Sequence, residues 1–158
     1  KNDYVDNGKY DIMGANGKIG NINKKNVYEE VLIMGRVGTI GTFFIVKDGW
    51  VSDNALIIKN NTHINLRFLY YVLKLLPYDL LASGTAQPLI TATTIKNQYI
   101  PLPSLKEQEE MAEYLDEKVS SIDEVIALKE EQLEVLKEYE KSLIYEYVTG
   151  KKEVMVDD

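Results

Sequence analysis

The sequence predicts an α+β chain: a compact, β-rich globular head followed by a long helical arm of coiled-coil type. Three observations carry this. Short apolar alternations punctuated by Gly, Asn and Asp recur through the front of the chain, and a heptad-spaced apolar seam runs through the rear. Charge divides between the two. Residues 1–103 hold 11 Lys plus Arg against 8 Asp plus Glu, net +3, whereas residues 104–158 hold 7 against 17, net −10. The predicted organisation is a head over 1–103, a helical region over 104–150 and a polar tail over 151–158.

In the head, alternation places strands around Tyr10 to Met13, Lys18 to Ile22, Val31 to Met34, Thr42 to Lys47 and Ala55 to Lys59. Asp48-Gly49 is expected to turn between the last two, giving one compact sheet. Asn65 is a cap for a helix from Leu66 to Leu76, which Pro77 ends. Leu66, Leu69, Tyr70, Leu73 and Leu76 recur at helical spacing and should face the sheet. Thr91 starts a short helical turn. Ile100-Pro101-Leu102-Pro103 stiffens the exit, and Ser104 with Glu107 forms the S-x-x-E capping box of the next helix.

That helix carries the strongest structural signal. Leu115, Val119, Ile122, Ile126, Lys129, Leu133, Leu136, Glu140, Leu143 and Tyr147 step by alternate fours and threes, which is a heptad seam. A second stripe of Val125, Leu128, Val135 and Tyr139 lies beside it, so more than one flank should be covered. In an antiparallel twofold pair, Lys129 and Glu140 would face each other; the alternative is that polar residues are simply tolerated at the seam edge. Ser121 and Glu124 repeat the capping pattern, so the region reads either as two helices, 105 to about 119 and 121 to 148, with a bend at Ser120-Ser121, or as one continuous arm. Gly150 supplies the stop. A continuous helix would run roughly 65 Å, comparable to two turns of B-DNA.

Composition bounds the function. With 158 residues, 45% of them apolar, the chain can build one ordinary domain with an appendage. No apolar run reaches the roughly 18 residues of a membrane span. The chain has no cysteine, which removes disulfides and thiolate chemistry and fits a cytoplasmic setting. His63, the single histidine, has no second histidine or cysteine to complete a metal site. Carboxylate pairs such as Glu109-Glu110 lie on a solvated helix face, where adjacent residues diverge. No catalytic residue, metal or cofactor is expected. A small metal-dependent nuclease using Asp48 and Asp53 is an alternative.

The head is mildly basic and offers groups suited to nucleic acid. Gly14-Ala15-Asn16-Gly17-Lys18-Ile19-Gly20 and Gly35-Arg36-Val37-Gly38-Thr39-Ile40-Gly41 both read G-x-x-G-x-x-G, which is neither a dinucleotide fingerprint nor a P-loop. They are either loops carrying Lys18, Arg36 and Thr39 to a phosphate surface, or tight turns and bulges. Asn21, Asn23, Lys24 and Lys25 alternate amides that can pair with adenine and ammonium groups that can neutralise phosphate. Thr85 and Gln87, in a small-residue loop, and Lys96 complete the candidates. The alternative to DNA contact is a dimeric coiled-coil adaptor whose β-rich head binds protein.

The stretch from Ser83 to Asp116 resembles the junction of target-recognition domain and helical spacer in the DNA-specificity (S) subunits of type I restriction-modification systems. Leu102-Pro103-Ser104-Leu105-Lys106-Glu107-Gln108 is similar to the family's P-L-x-x-Q spacer entry. Ile122-Asp123-Glu124-Val125-Ile126 and Leu143 to Gly150 are similar to its middle and end. The resemblance implies a non-enzymatic module that reads one half of a split site in double-stranded DNA. It also implies a homodimer through antiparallel helices, using Leu115, Val119, Ile122, Ile126, Leu133, Leu136, Leu143 and Tyr147, with methyltransferase and restriction subunits as further partners. The tryptophan-bearing lead-in common in the family is missing, Trp50 being the sole tryptophan. The expectation is a half-subunit or a fragment, shortened at its N-terminus.

Overall fold

A computed structural model describes residues 4–37, 40–59, 63–84 and 88–154. Two compact units emerge, 1–112 and 113–158. The first contains six strands: β1 (Tyr10–Gly14), β2 (Gly17–Ile22), β3 (Val31–Gly35), β4 (Phe43–Val46), β5 (Trp50–Val51) and β6 (Ala55–Ile58). It also holds α1 (Leu66–Lys74), α2 (Tyr78–Leu81) and α3 (Ala92–Lys96). The last helix, α4 (Leu105–Val148), begins in this unit and runs through the second.

The strands form two three-stranded sheets, ordered β2-β1-β5 and β4-β3-β6, where one sheet was expected. The Asp48-Gly49 turn leads from β4 into β5, not into the strand at Ala55, and Asp48 adopts φ 54 there. β5 is two residues long and pairs in parallel with β1, through Ile12 with Trp50 and Met13 with Val51. Two residues have no periodicity to read, and the partner is remote in sequence.

β3 is buried along its whole length, and its alternation splits the core. Leu32 and Met34 pack with Phe43, with Leu66, Leu69 and Leu73 of α1, and with Ile90. Val31 and Ile33 pack the other way, with Val27, Val46, Val51 and Ala55. Burying each such side chain contributes about 1.5–3 kcal/mol. As expected, Asn65 caps α1, its Oδ1 accepting from the N–H groups of Arg67 and Phe68 at 3.0 Å. α1 stops at Lys74, two residues short of the expected end, and Leu75 is its C-cap.

In α4 the Ser104–Glu107 box forms. Ser104 N–H and Oγ donate to Glu107 Oε2 at 2.9 and 2.7 Å, and Glu107 N–H donates to Ser104 Oγ at 3.4 Å. The break into two helices at Ser120-Ser121 does not occur, for α4 is one helix of 44 residues. Ser121 Oγ donates back to the carbonyl of Glu117 at 2.9 Å, so its hydroxyl supports the preceding turn and does not cap a new one. Gly150 ends the run at φ 70, with its N–H on the carbonyl of Tyr147.

Candidate nucleic-acid interface

The candidates on β2 and the loop after it gather around acids and aromatic rings of neighbouring strands. Asp11 on β1 sits opposite Asn21 in the antiparallel register. Its Oδ1 accepts from Asn21 Nδ2 at 2.9 Å and lies 2.7 Å from Lys18 Nζ. Asn23 Oδ1 accepts from the N–H of Lys9 at 3.1 Å. Lys24 places its ammonium 4.9 Å from the centre of the Trp50 ring. Lys25 is ion-paired with Asp48 and lies 5.4 and 5.0 Å from the ring centres of Tyr10 and Tyr28. The hydrogen bond between them raises the Lys25 pKa and lowers that of Asp48, so both stay charged.

Lys9 shares the Tyr10 ring at 5.3 Å, which makes a lysine–aromatic surface of Lys9, Tyr10, Lys24, Lys25, Tyr28 and Trp50. Sequence reading missed its aromatic half and Asp11, and named Asp48 only for a turn and a nuclease. Lysines interleaved with Tyr10 and Tyr28 were the available signal. Asn26 serves structure, its amide donating to the Val51 carbonyl and accepting from the Val51 N–H, both at 2.8 Å. Beside this surface lies a cleft of about 680 Å³ lined by Tyr4, Lys24, Trp50, Ser52 and Asp53 among others.

The second group forms around Arg36. Its N–H donates to the Asn54 carbonyl at 3.1 Å, and its carbonyl accepts from the N–H of Ile90 at 3.0 Å. Val37 bridges to Leu89, and Leu89 bridges to Ser83 through reciprocal 2.9 Å hydrogen bonds. These bonds join Ser83, Leu89 and Ile90 to the chain that leaves β3 at Arg36 and Val37. Arg36 Nε is buried without a hydrogen-bond partner. Thr39, Thr85 and Gln87 lie outside the described residues. Lys96 ends α3 and is exposed, sharing no hydrogen bond or ion pair with the other candidates among the described residues.

Glycines of both repeats meet backbone constraints. Gly14 and Gly17 pair across the Ala15-Asn16 turn of the β1–β2 hairpin, and Gly17 has φ 117. A Cβ on Gly35 would lie 2.4 Å from the Ala15 carbonyl oxygen, so β3 meets that hairpin only through a residue without a side chain.

In the second unit, the seam is uncovered. Ile122, Ile126, Leu133, Leu136, Leu143 and Tyr147 are 37 to 63% exposed, and Val125, Leu128, Val135 and Tyr139 of the second stripe are more than half exposed. Leu115 and Val119 are half-buried. A surface of this size and apolarity implies a partner.

A family model described as the type I restriction modification DNA specificity domain matches residues 1–148. The type I restriction enzyme MjaVIII specificity subunit of Methanocaldococcus jannaschii is 33% identical over 144 residues, covering 89% of this chain and 28% of that relative. The crystal structure of the type I restriction-modification S subunit from M. genitalium superposes with a TM-score of 0.64 at 22% identity, covering 92% of this chain and 41% of that one. A second solved structure, described as the basis of complex assembly and conformational transition of the type I restriction-modification system, gives 0.73 at 18% identity, covering 92% and 40%. The likeness of fold thus covers 92% of this chain and about two fifths of each solved chain, and the chain spans somewhat more than a quarter of the curated relative's length.

Proposed function

From its membership of the type I restriction-modification DNA specificity family, to which the match over residues 1–148 shows that this chain belongs, we propose that it reads one half of a split DNA target. The head is the reading part. Lys24, Lys25 and Lys18 neutralise phosphates, Arg36 supplies a guanidinium, and Thr85 and Gln87 contact base edges. Thr39, Asn21, Asn23 and Lys96 complete the surface. The observation that carries this reading is the lysine–aromatic surface of an otherwise acidic chain, on a head of net charge +3.

The arm joins and spaces. Its seam pairs two copies antiparallel, and its second stripe docks methyltransferase and restriction subunits, which supply the chemistry on DNA in the cytoplasm. The chain itself is non-catalytic. A protein-binding adaptor is disfavoured by the family match.

Selection from randomised duplexes with the whole chain tests the reading. Enrichment of a symmetric split site, with affinity falling as salt rises, is the expected result. Binding without sequence preference or without salt dependence overturns it.

A further inference from the structure

The seam of α4 is its own complement when reversed. From Ile122 to Tyr147 the seam pairs with its own reversal. Ile122 then meets Tyr147, Ile126 meets Leu143, Lys129 meets Glu140 and Leu133 meets Leu136. Every pair straddles the same midpoint, between Glu134 and Val135. Each also joins the two different kinds of heptad position, which is how layers form between antiparallel helices. The continuity of α4 through Ser121 keeps these positions in a single phase.

Only one register does this. Sliding one copy by a heptad in one direction sets Lys129 against Leu133 and Glu140 against Ile122. Sliding in the other sets Lys129 against Tyr147 and Glu140 against Leu136. Both displaced registers bury four charges per pair of helices against apolar side chains, whereas the centred register matches two ammonium groups with two carboxylates. Among the described residues, neither Lys129 nor Glu140 is ion-paired within its own chain, so both are available for the partner.

We propose that the occupant of this face is a second copy of the chain, bound antiparallel in the single register centred between Glu134 and Val135, with Lys129 and Glu140 as the register lock. The inference rests on the spacer-arm reading above. It adds that the axial stagger of the two arms is fixed by this one ion pair used twice.

Lys129→Glu alone places Glu opposite Glu, and Glu140→Lys alone places Lys opposite Lys. Each variant should weaken self-association tenfold or more in sedimentation, since facing like charges disfavour a pairing strongly. Mixed together the two variants restore both attractive pairs, so the mixture should dimerise as the wild type does. Damage to the helix would not be rescued by mixing. The chain has no cysteine, so a spin label on Glu124→Cys reports the register directly. The label on one copy lies level with residue 145 of the other, an axial offset of about 31 Å, and a slip of one heptad changes this by about 10 Å.

Rescue on mixing together with the centred offset supports the proposal. Single variants that dimerise normally, or a different offset, overturn the register while leaving the specificity-subunit reading intact. A monomeric wild type overturns the second copy and assigns the seam to a helix of another chain. Salt-dependent duplex binding by the same sample then reports separately on DNA recognition.

Discussion

Gln108 Oε1 accepts a hydrogen bond from the backbone N–H of Asn65 at 2.8 Å, tying the second turn of α4 to the N-cap of α1. Its Nε2 donates to the carbonyls of His63 at 3.2 Å and Pro103 at 2.8 Å, and the residue is fully buried. With Ala112, it explains why the head unit extends into α4. Gln108→Ala strands one donor and two acceptors, and should lower the unfolding free energy of the head by about 3 kcal/mol. Urea denaturation followed by Trp50 fluorescence measures this. A loss under about 1 kcal/mol would mean that water replaces the amide without penalty.

The helix entry is pH-dependent with a definite sign. Hydrogen bonds from the side chain and backbone of Ser104 hold the Glu107 pKa below its usual 4.5. A depressed carboxylate stabilises the fold above its unfolded pKa and loses that contribution as pH falls through the folded value. Acid titration should therefore loosen the start of α4 below about pH 4.5, seen as a smaller amide-exchange protection factor at Glu107. Glu107→Gln should flatten that dependence. Ser104→Ala, which removes the cap, should cost about 1 kcal/mol at neutral pH.

These two residues mark what the sequence could and could not disclose. Ser104 was legible because a capping box is local and Pro103 stands just before it. Ser121 shows the same S-x-x-E spacing and does something else, because in the middle of a continuous helix its hydroxyl turns back to Glu117. Gln108 gave almost no signal, being one amide among carboxylates whose burial depends on Asn65, more than forty positions earlier. β3 and α1 were readable from their periodicity, while β5 was not, since its pairing with β1 is non-local. In the candidate interface, the lysines could be named from sequence, but their placement on Trp50, Tyr10 and Tyr28 is set by strand register.

Asp48 ion-pairs with Lys25, a lysine proposed to meet phosphate. The carboxylate keeps the ammonium charged but would repel a DNA backbone brought against it. Asp48→Asn frees Lys25, and Asn tolerates the positive φ at this position, so the turn should survive. Binding to random duplex at low salt should tighten severalfold. A variant that binds no better would place Lys25 away from the DNA.

Lys24 offers the converse. Its ammonium rests over Trp50 at the edge of the cleft, on the same lysine–aromatic surface. Lys24→Ala should weaken binding about equally for all sequences and reduce the magnitude of the logarithmic salt slope by about 1, as expected for one lost phosphate contact. Arg36→Ala should instead reduce discrimination between cognate and mismatched half-sites. Equal effects of the two substitutions on specific and random duplexes would remove Arg36 from base reading.

Tyr78 supplies an alkaline limit to the head. Its hydroxyl donates to the Leu73 carbonyl at 2.7 Å, and its ring packs against Phe43 with centroids 6.1 Å apart. Burial pushes its pKa from 10.0 up to about 12. Because the folded value is the higher one, the contribution of the protonated phenol is complete below pH 10 and is lost as pH rises through 12. Thermal unfolding midpoints should fall across that interval. Tyr78→Phe lowers stability at neutral pH by removing the hydrogen bond, yet should show a shallower decline between pH 10 and 12, and an unchanged slope would assign the alkaline transition to other groups.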